Sequence, residues 1–269
     1  MIRLTDVVKT YPASDAAALD GVSMEVRAGE VVGIAGVSGN GQKELLYALS
    51  GEDTRAEPAM IEVFGQPAAR LRPRARRALG VHFVPEERLG RGAVPSLGLA
   101  HNLLLTRGDA IGAGGWIRTG ALAAQAREII RRFNVKAGGP DAAARSLSGG
   151  NLQKFIVGRE IDARPRLFIV SQPTWGVDVG AAALIRNEIL ALRDAGCAVL
   201  VVSEELDELF DLSDRLHVIA KGRLSPSVDR AEATVPRIGE WMSGLWDAPA
   251  AGATTTAGAA TTAREVTHA

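Results

Sequence analysis

The sequence predicts an α/β fold in which a mostly parallel sheet carries an antiparallel addition and an inserted helical segment. Short apolar strands alternate with helical patterns along most of the chain, which favours parallel pairing through crossover connections. Two early segments, residues 2–7 and 20–26, alternate apolar and polar residues, as half-buried strands do. Residues 90–150 contain helical patterns and glycine loops but no segment that reads as a strand.

The core strands are short and apolar, and helices separate them. A continuous apolar strand at residues 30–36 runs into a glycine loop, and Gly51 is expected to cap the helix that follows, because glycine accepts a left-handed backbone. The remaining core strands are predicted at residues 80–84, 166–171, 198–203 and 215–220, and the helices at residues 44–51, 121–133, 150–162 and 181–195.

Composition excludes several classes of function. The 269 residues carry a formal net charge of zero, which gives no support to nucleic-acid binding. We interpret the basic stretch at residues 69–77 as a solvated face rather than a binding patch. The single cysteine, Cys197, excludes a disulfide framework. No apolar run reaches the ~18 residues that span a bilayer, so work at a membrane would need partners.

The chain divides into one large domain, residues 1–246, and a tail. Within the domain, we expect the inserted helical subdomain at about residues 88–160. The tail, residues 247–269, is low in complexity and lacks bulky apolar residues, so we expect it to be disordered.

The glycine loop within residues 33–51 has the G-x-x-x-x-G spacing of a phosphate-binding loop. Backbone amides of residues 38–43 could form a concave row of donors at a helix start. Two side chains depart from the pattern: Gln42 stands where a lysine is expected, and Lys43 where a magnesium-binding hydroxyl is expected. Taken alone, the loop is compatible with an altered phosphate site or with an ordinary strand-to-helix turn.

A second motif, "LSGGNLQK" at residues 147–154, is more specific. Ser148 is predicted to cap a helix whose first residues, Gly149 and Gly150, leave the backbone bare. The helix should bury Leu152, Phe155 and Ile156. An exposed cap serine with two glycines makes an anion site from amides and the helix dipole.

The order of motifs resembles the ATP-binding subunits of ABC transporters over about residues 1–245. It consists of the glycine loop, "FVPEER" (83–88), "LSGGN" (147–151), "LFIVSQPTWGVD" (167–178) and "VVSEELDEL" (201–209). More narrowly, it resembles the second nucleotide-binding half of the fused ATPases of bacterial simple-sugar and nucleoside importers. Those fused chains are about twice as long, so this chain would be an excised piece or a stand-alone variant. The resemblance implies a P-loop ABC-type ATPase core with an antiparallel β subdomain and an inserted α-helical subdomain.

The resemblance also implies that the catalytic positions are degenerate. Ser171 and Gln172 replace the Asp-Glu pair that holds magnesium and activates water in active members, and Gln172 cannot accept a proton. Glu204 replaces the histidine that contacts the γ-phosphate. Glu86, the mildest change, replaces the glutamine that leads into the helical subdomain.

The same resemblance assigns the binding residues. Tyr11 is spaced like the aromatic residue that stacks on adenine, although a half-buried tyrosine without that role is an equal alternative. Asp178 corresponds to the D-loop. The expected nucleotide-binding set is Tyr11, Gly36, Ser38, Gly39, Asn40, Gly41, Gln42, Lys43 and Glu44, and the signature set is Ser148, Gly149, Gly150 and Asn151.

ABC ATPases work as head-to-tail pairs in which each site combines the glycine loop of one partner with the signature of the other. We therefore expect an asymmetric pair in which this chain's signature acts on ATP held by a catalytically complete partner, with Mg²⁺ mainly at that partner's site. Permease subunits in the membrane, and through them a solute-binding protein, complete the expected assembly on the cytoplasmic face. The alternatives are an active stand-alone ABC ATPase and a soluble, non-transport ABC protein.

Overall fold

The computed structural model describes residues 1–10, 17–113 and 116–246, and this part of the chain forms strands and α-helices in alternation. The strands are β1 (Ile2–Thr10), β2 (Ala17–Val26), β3 (Val31–Ala35), β4 (Ile61–Val63), β5 (Gln66–Pro67), β6 (Val81–Val84), β7 (Gly112–Ala113), β8 (Trp116–Ile117), β9 (Leu167–Ser171), β10 (Ala198–Ser203), β11 (Arg215–Ala220), β12 (Arg223–Leu224) and β13 (Val228–Asp229). The helices are α1 (Gln42–Ser50), α2 (Pro73–Ala78), α3 (Leu99–Ile111), α4 (Thr119–Arg132), α5 (Gly149–Asp162), α6 (Val179–Asp194), α7 (Leu206–Leu212) and α8 (Val235–Met242).

The central sheet has the strand order β12-β11-β3-β10-β9-β6, with β13 also paired to β11. Its five core strands run parallel, and β3 lies between two strands from the last third of the described chain. Val31 of β3 is opposite Val199 of β10, and Gly33 is opposite Leu216 of β11. This arrangement confirms the predicted parallel pairing.

A second, antiparallel sheet has the order β2-β1-β4-β5. The pairing of β1 with β2 confirms the early strand pair, while β4 and β5 were missed by sequence reasoning. Both are short, three and two residues, so they carry almost no periodic signal.

Each central strand is buried on both faces and contributes side chains to two hydrophobic clusters. Val32 and Ile34 of β3 pack with the antiparallel sheet and with Leu45 and Leu49 of α1. The alternate residues, such as Val31, pack against the helices on the other side. Helix α1 therefore lies between the two sheets and begins at the carboxyl end of β3.

Helices α3, α4 and α5 pack in succession and share the second cluster with the central sheet. Gly158 of α5 permits a close approach, since a Cβ there would lie 2.5 Å from Cδ2 of Phe133. Helix α5 buries Leu152, Phe155 and Ile156 as predicted, and also Arg159 and Glu160. No helix in the described ranges combines the length and the apolar character needed to cross a membrane.

The interpretation of residues 69–77 as a solvated face is wrong for Arg76, whose side chain is only 1 % exposed. Its guanidinium donates to the carbonyls of Ala48, Ala68 and Leu71, so it closes the C-terminal end of α1. Burial lowers the pKa of Arg76 to about 10. A buried arginine surrounded by carbonyls depends on long-range contacts that composition cannot show.

The other element predictions are confirmed within a few residues. Helix α1 begins two residues earlier than predicted and ends on Gly51, whose φ is +83°. The expectation of no strand in residues 90–150 needs a small correction, because β7 and β8 form a two-residue antiparallel ribbon there. The predicted disordered tail, residues 247–269, lies outside the described residues, and so does Tyr11.

Candidate functional site

The glycine loop, the ends of β9 and β10, and the segment after β6 enclose a cleft of about 300 Å³. Carboxyl ends of neighbouring parallel strands meet at one edge of a sheet, which is where α/β proteins bind ligands. The cleft brings together most of the predicted site residues. It is lined by Gly36, Ser38, Gly39, Gln42, Lys43, Glu44, Leu46, Glu86, Glu87, Arg91, Ser171, Gln172, Val202, Ser203 and Glu204.

The Gln42 side chain folds back onto the glycine loop. Its Oε1 accepts a hydrogen bond from the backbone N–H of Asn40 at 3.0 Å, and its Nε2 donates to the carbonyl of Val37 at 2.7 Å. Gly36 leaves room for this amide, because a Cβ there would lie 2.7 Å from Nε2. One of the predicted phosphate donors, the Asn40 N–H, is therefore already used by the chain itself.

The loop is also tied to the end of the central sheet. The carbonyl and side-chain oxygens of Asn40 accept from the backbone N–H groups of Gly222 and Lys221, both at 2.9 Å. Gly41 precedes α1 with φ +109°, and no side chain caps that helix. The glycine loop keeps the shape of a helix-start turn through its own contacts.

The ammonium group of Lys43 is paired with a carboxylate. Its Nζ lies 3.4 Å from a carboxylate oxygen of Glu87 and 5.7 Å from the ring centroid of Tyr47. Hydrogen bonding to Tyr47 and Glu87 raises the pKa of Lys43. Arg91 contacts the same Glu87 carboxylate at 2.9 Å, so the cations of this edge are held by a carboxylate that sequence reasoning did not select.

The charges that line the cleft are unfavourable for a polyphosphate. Glu44, Glu86, Glu87 and Glu204 contribute four carboxylates, against two cations from Lys43 and Arg91. An anion that enters a site with net negative lining is repelled, most strongly where water is partly excluded. The balance of charges in the cleft is therefore unfavourable for the phosphates of ATP. No group of histidine, cysteine and acidic side chains suited to a metal is present in the described ranges.

The last residue of β9, Ser171, and the residue that follows it, Gln172, carry no carboxylate that could accept a proton. Ser171 is buried, and Gln172 adopts φ +49°. Gln172 Oε1 accepts from the Ser203 hydroxyl at 3.1 Å, and Glu204 follows at the cleft mouth. A buried carboxylate, Glu208, bonds Thr174 at 2.6 Å; burial raises its pKa. It lies behind the cleft and is not among the residues that line it.

The signature motif forms a separate, solvent-facing tip. Ser148 Oγ accepts from the backbone N–H of Asn151 at 3.4 Å, which confirms the predicted helix cap, and from the Asn151 side chain at 2.9 Å. Ser148 and Gly149 are exposed, while Gly150 packs against the carbonyl of Gly176. None of the four signature residues lines the glycine-loop cleft.

Asp178 caps the next helix rather than entering the cleft. Its Oδ1 accepts from the backbone N–H of Ala181 at 2.9 Å, and this hydrogen bond lowers the pKa of Asp178. Gly176 and Val177 lie between Asp178 and the signature tip, against Gly150. The signature and the predicted D-loop thus share one surface.

Comparison with known proteins places the chain among transport proteins. Residues 19–175 match the family described as ABC transporter. The glucose import ATP-binding protein TsgD13 of Haloferax volcanii is 44 % identical over 237 residues, 87 % of this chain and 43 % of that protein. The guanosine import ATP-binding protein NupO of Bacillus subtilis is 38 % identical over 256 residues, 89 % of this chain and 50 % of that protein. The chain spans about half the length of these curated relatives.

Solved structures share the fold. The dimeric ATP-binding cassette MJ0796, in a post-hydrolysis state bound to ADP and phosphate, aligns with a TM-score of 0.73 at 21 % identity, over 86 % of this chain and 99 % of the other. A nucleotide-free ATP-binding cassette from an ABC transporter aligns equally well, at 22 % identity over 89 % of this chain and 97 % of the other. Both confirm the predicted combination of α/β core, antiparallel sheet and helical part. The chain belongs to the ABC transporter family, as one of its ATP-binding domains.

Proposed function

We propose that this chain is the ATP-binding half of an ABC importer for simple sugars or nucleosides, that its own cleft does not hydrolyse ATP, and that its signature tip completes the site of a partner. The observation that carries the proposal is the state of the cleft: Gln42 closes the loop on itself and the lining is net acidic. Relatives named for glucose, guanosine and nucleoside import support the solute class.

In the proposed pair, the partner holds ATP and Mg²⁺, which supply the phosphoryl group and neutralise its charge. This chain would contribute Ser148 Oγ and the N-terminal amides of α5 at Gly149 and Gly150. Such preorganised donors stabilise negative charge that develops on a phosphate. Asp178, on the same surface, would face the partner as well.

For the membrane partner, we propose docking on the face formed by residues 86–101 and the helical part. A groove of about 810 Å³ runs between α2 and α3 beside this face and is lined by Arg74, Arg77, Arg107 and Arg164, with Asp162 as its acidic residue. A short helix from the permease subunits with acidic residues would complement it. In such an assembly the chain would lie peripherally on the cytoplasmic side of the membrane and would act indirectly with a solute-binding protein.

The test uses the complex captured from membranes of the source cells through an affinity tag on this chain. Gly149→Asp places a carboxylate where a partner's γ-phosphate would lie. The carboxylate repels the phosphate and obstructs the amides, and we expect this to lower the transport-coupled ATPase activity by as much as the loss of one such donor, roughly 100- to 1000-fold. Gln42→Ala alters only this chain's own loop and should leave most of the activity.

The two alternatives predict different results. Steady hydrolysis by the purified chain alone, dependent on magnesium, would favour an active stand-alone ATPase. Capture of no permease subunits would favour a soluble, non-transport protein. If Gln42→Ala silences the complex while Gly149→Asp does not, the working site is this chain's own loop and the proposal fails.

A further inference from the structure

Arg88 stands where three separate segments of the domain meet. It follows β6, and its Nε donates to Gln153 Oε1 of α5 at 3.0 Å. Its Nη2 donates to the carbonyl of Trp175, in the turn after β9. The guanidinium also lies over the Trp175 ring, 5.1 Å from the centroid. One planar group thus joins the segment after β6, the signature helix and the turn that precedes Asp178.

Two glycines leave the space that the guanidinium fills. A Cβ on Gly149 would lie 2.6 Å from Arg88 Nη1, and one on Gly176 would lie 3.3 Å from Nη2. Gly176 also has φ +64°, which side chains rarely adopt. Gly149 of the signature is therefore exposed to solvent on one side and lies next to Arg88 on the other.

The network continues from Arg88 toward the glycine-loop cleft. Gln153 is buried and donates from Nε2 to the carbonyls of Gln172 and Pro173, at 3.3 and 3.1 Å. Gln172 in turn accepts from Ser203. The signature helix and the end of β9 are thus linked through side chains that Arg88 orients.

Helix stability does not account for a cation at this place. The N-terminal end of α5 carries a partial positive charge, which repels the guanidinium. Within the described part of the chain, Arg88 has hydrogen-bond partners but no carboxylate, and burial lowers its pKa. What the arrangement does provide is geometry, because only a planar fork of donors can bond Gln153 and Trp175 at once.

We propose that Arg88 is a positioning residue that holds the tip of α5 and the 172–176 turn in one fixed arrangement, the one that the partner's nucleotide meets. The inference rests on the proposed function, since it names a further residue that makes the signature tip effective. Arg88 acts through Gly149 and Trp175. The role is geometric, so a lysine should not replace it.

The experiment compares Arg88→Gln, Arg88→Lys and the control Arg27→Gln in the captured complex. Arg27 is an exposed arginine that follows β2 and pairs with Glu25, outside the cleft, the signature tip and the proposed docking face. A displacement of about 1 Å at a reacting centre can lower a rate about 100-fold, so both Arg88 variants should lower kcat by about 10- to 100-fold with little change in the KM for ATP. The control should match the wild type.

A second measurement uses the purified chain and needs no partner. Acrylamide quenching of tryptophan fluorescence should increase in both Arg88 variants, because Trp175 loses its guanidinium cover. The increase should vanish in a Trp175→Phe background, and circular dichroism should show an intact fold.

The outcomes separate the inference from the proposed function. If Gly149→Asp lowers activity and the Arg88 variants do not, the positioning role is wrong while the function stands. If Arg88→Lys keeps full activity, charge rather than geometry matters and the inference is overturned. Unchanged quenching of Trp175 would equally contradict it. If Gly149→Asp itself has no effect, the proposed function fails first.

Discussion

The glycine loop and the signature tip are both glycine-rich starts of helices, yet they differ in what their donors face. At α1, no side chain caps the helix, and the Gln42 amide returns to bond Asn40 and Val37. At α5, Ser148 caps the helix locally and leaves Gly149 exposed. A helix start becomes an open anion site only where the chain does not use the donors itself.

Electrostatics sharpens the contrast. The cleft beside the loop is net acidic, with four carboxylates and two cations in its lining, whereas the tip has Arg88 beside it. The same backbone motif is therefore set in an acidic surrounding in one case and beside a cation in the other. Three changes to the chain would break or sharpen this comparison, in order of expected effect.

The largest effect should come from Glu160→Gln, which loosens the C-terminal end of α5, the helix that carries the tip, while sparing the loop. Glu160 is fully buried and bonds His82 of β6 at 2.8 Å, Arg77 at 2.7 Å and Arg159 at 2.9 Å. Removing one partner of a buried ion pair costs about 3 to 5 kcal/mol of unfolding free energy. Urea unfolding at pH 7 measures the loss. Hydrogen exchange should rise in α5 more than in residues 36–43.

The pH dependence of unfolding provides the control. Burial alone would raise the pKa of Glu160, but the charges of Arg159 and Arg77 outweigh it, so the pKa is lowered. The stability from this group is present above the unfolded pKa of about 4.5 and is lost as the pH falls toward the lower folded pKa. The wild type should lose stability below about pH 4.5 more steeply than Glu160→Gln. Glu128→Gln, on the exposed face of α4, should follow the wild type.

A smaller effect is expected from restoring the loop with Gln42→Lys and Lys43→Ser together. The lysine removes the amide that occupies Asn40, and the serine supplies a small hydroxyl to a metal. A hydrogen bond to a charged group contributes about 1.5 to 3 kcal/mol, so affinity for ATP should rise roughly 10- to 100-fold. Calorimetry with magnesium and with EDTA measures it, and the wild type should bind weakly with little dependence on the metal.

The single variant Gln42→Lys separates the two contributions. Without the serine, any gain in affinity should not depend on magnesium. If the double variant binds ATP no better than the wild type, the acidic lining rather than Gln42 keeps the cleft closed.

The smallest effect should come from Ser148→Ala, which removes the cap of α5. Such a cap contributes about 1 kcal/mol, so Tm should fall by about 2 to 4 °C. Ser148→Thr keeps the oxygen and should retain the wild-type Tm. An equal loss in both variants would mean that packing, rather than the hydrogen bond to Asn151, holds the helix start.

Sequence reasoning was most successful where chemistry is local. The Ser148 cap, the Gly51 end of α1 and the apolar core strands follow from residues that are near neighbours along the chain. That position 42 holds a glutamine and position 171 a serine can also be read directly from the sequence. Local patterns are enough for these features because each depends on hydrogen bonds or packing within one element.

Long-range partners could not be predicted in this way. The contact of Lys43 with Glu87 joins two residues that are 44 positions apart and lie in different elements. Neither local sequence indicates that the two side chains meet. Arg76 lies in a basic stretch that resembles an exposed face, and its contact with a carbonyl of α1 comes from a distant part of the chain. The roles of Gln42 and Arg88 depend on where a side chain turns, which spacing does not specify.

The position of β3 has a consequence for how the chain is made. This early strand pairs with β10 and β11, so its two edges stay unpaired until residues about 170 and 180 positions later have been synthesised. Contacts of such separation close slowly, and an apolar strand with unpaired edges can associate with other chains meanwhile. Newly made chains should therefore depend on protection of residues 31–35 until β11 emerges, and substitutions that slow β10 or β11 should lower soluble yield before they alter the folded domain.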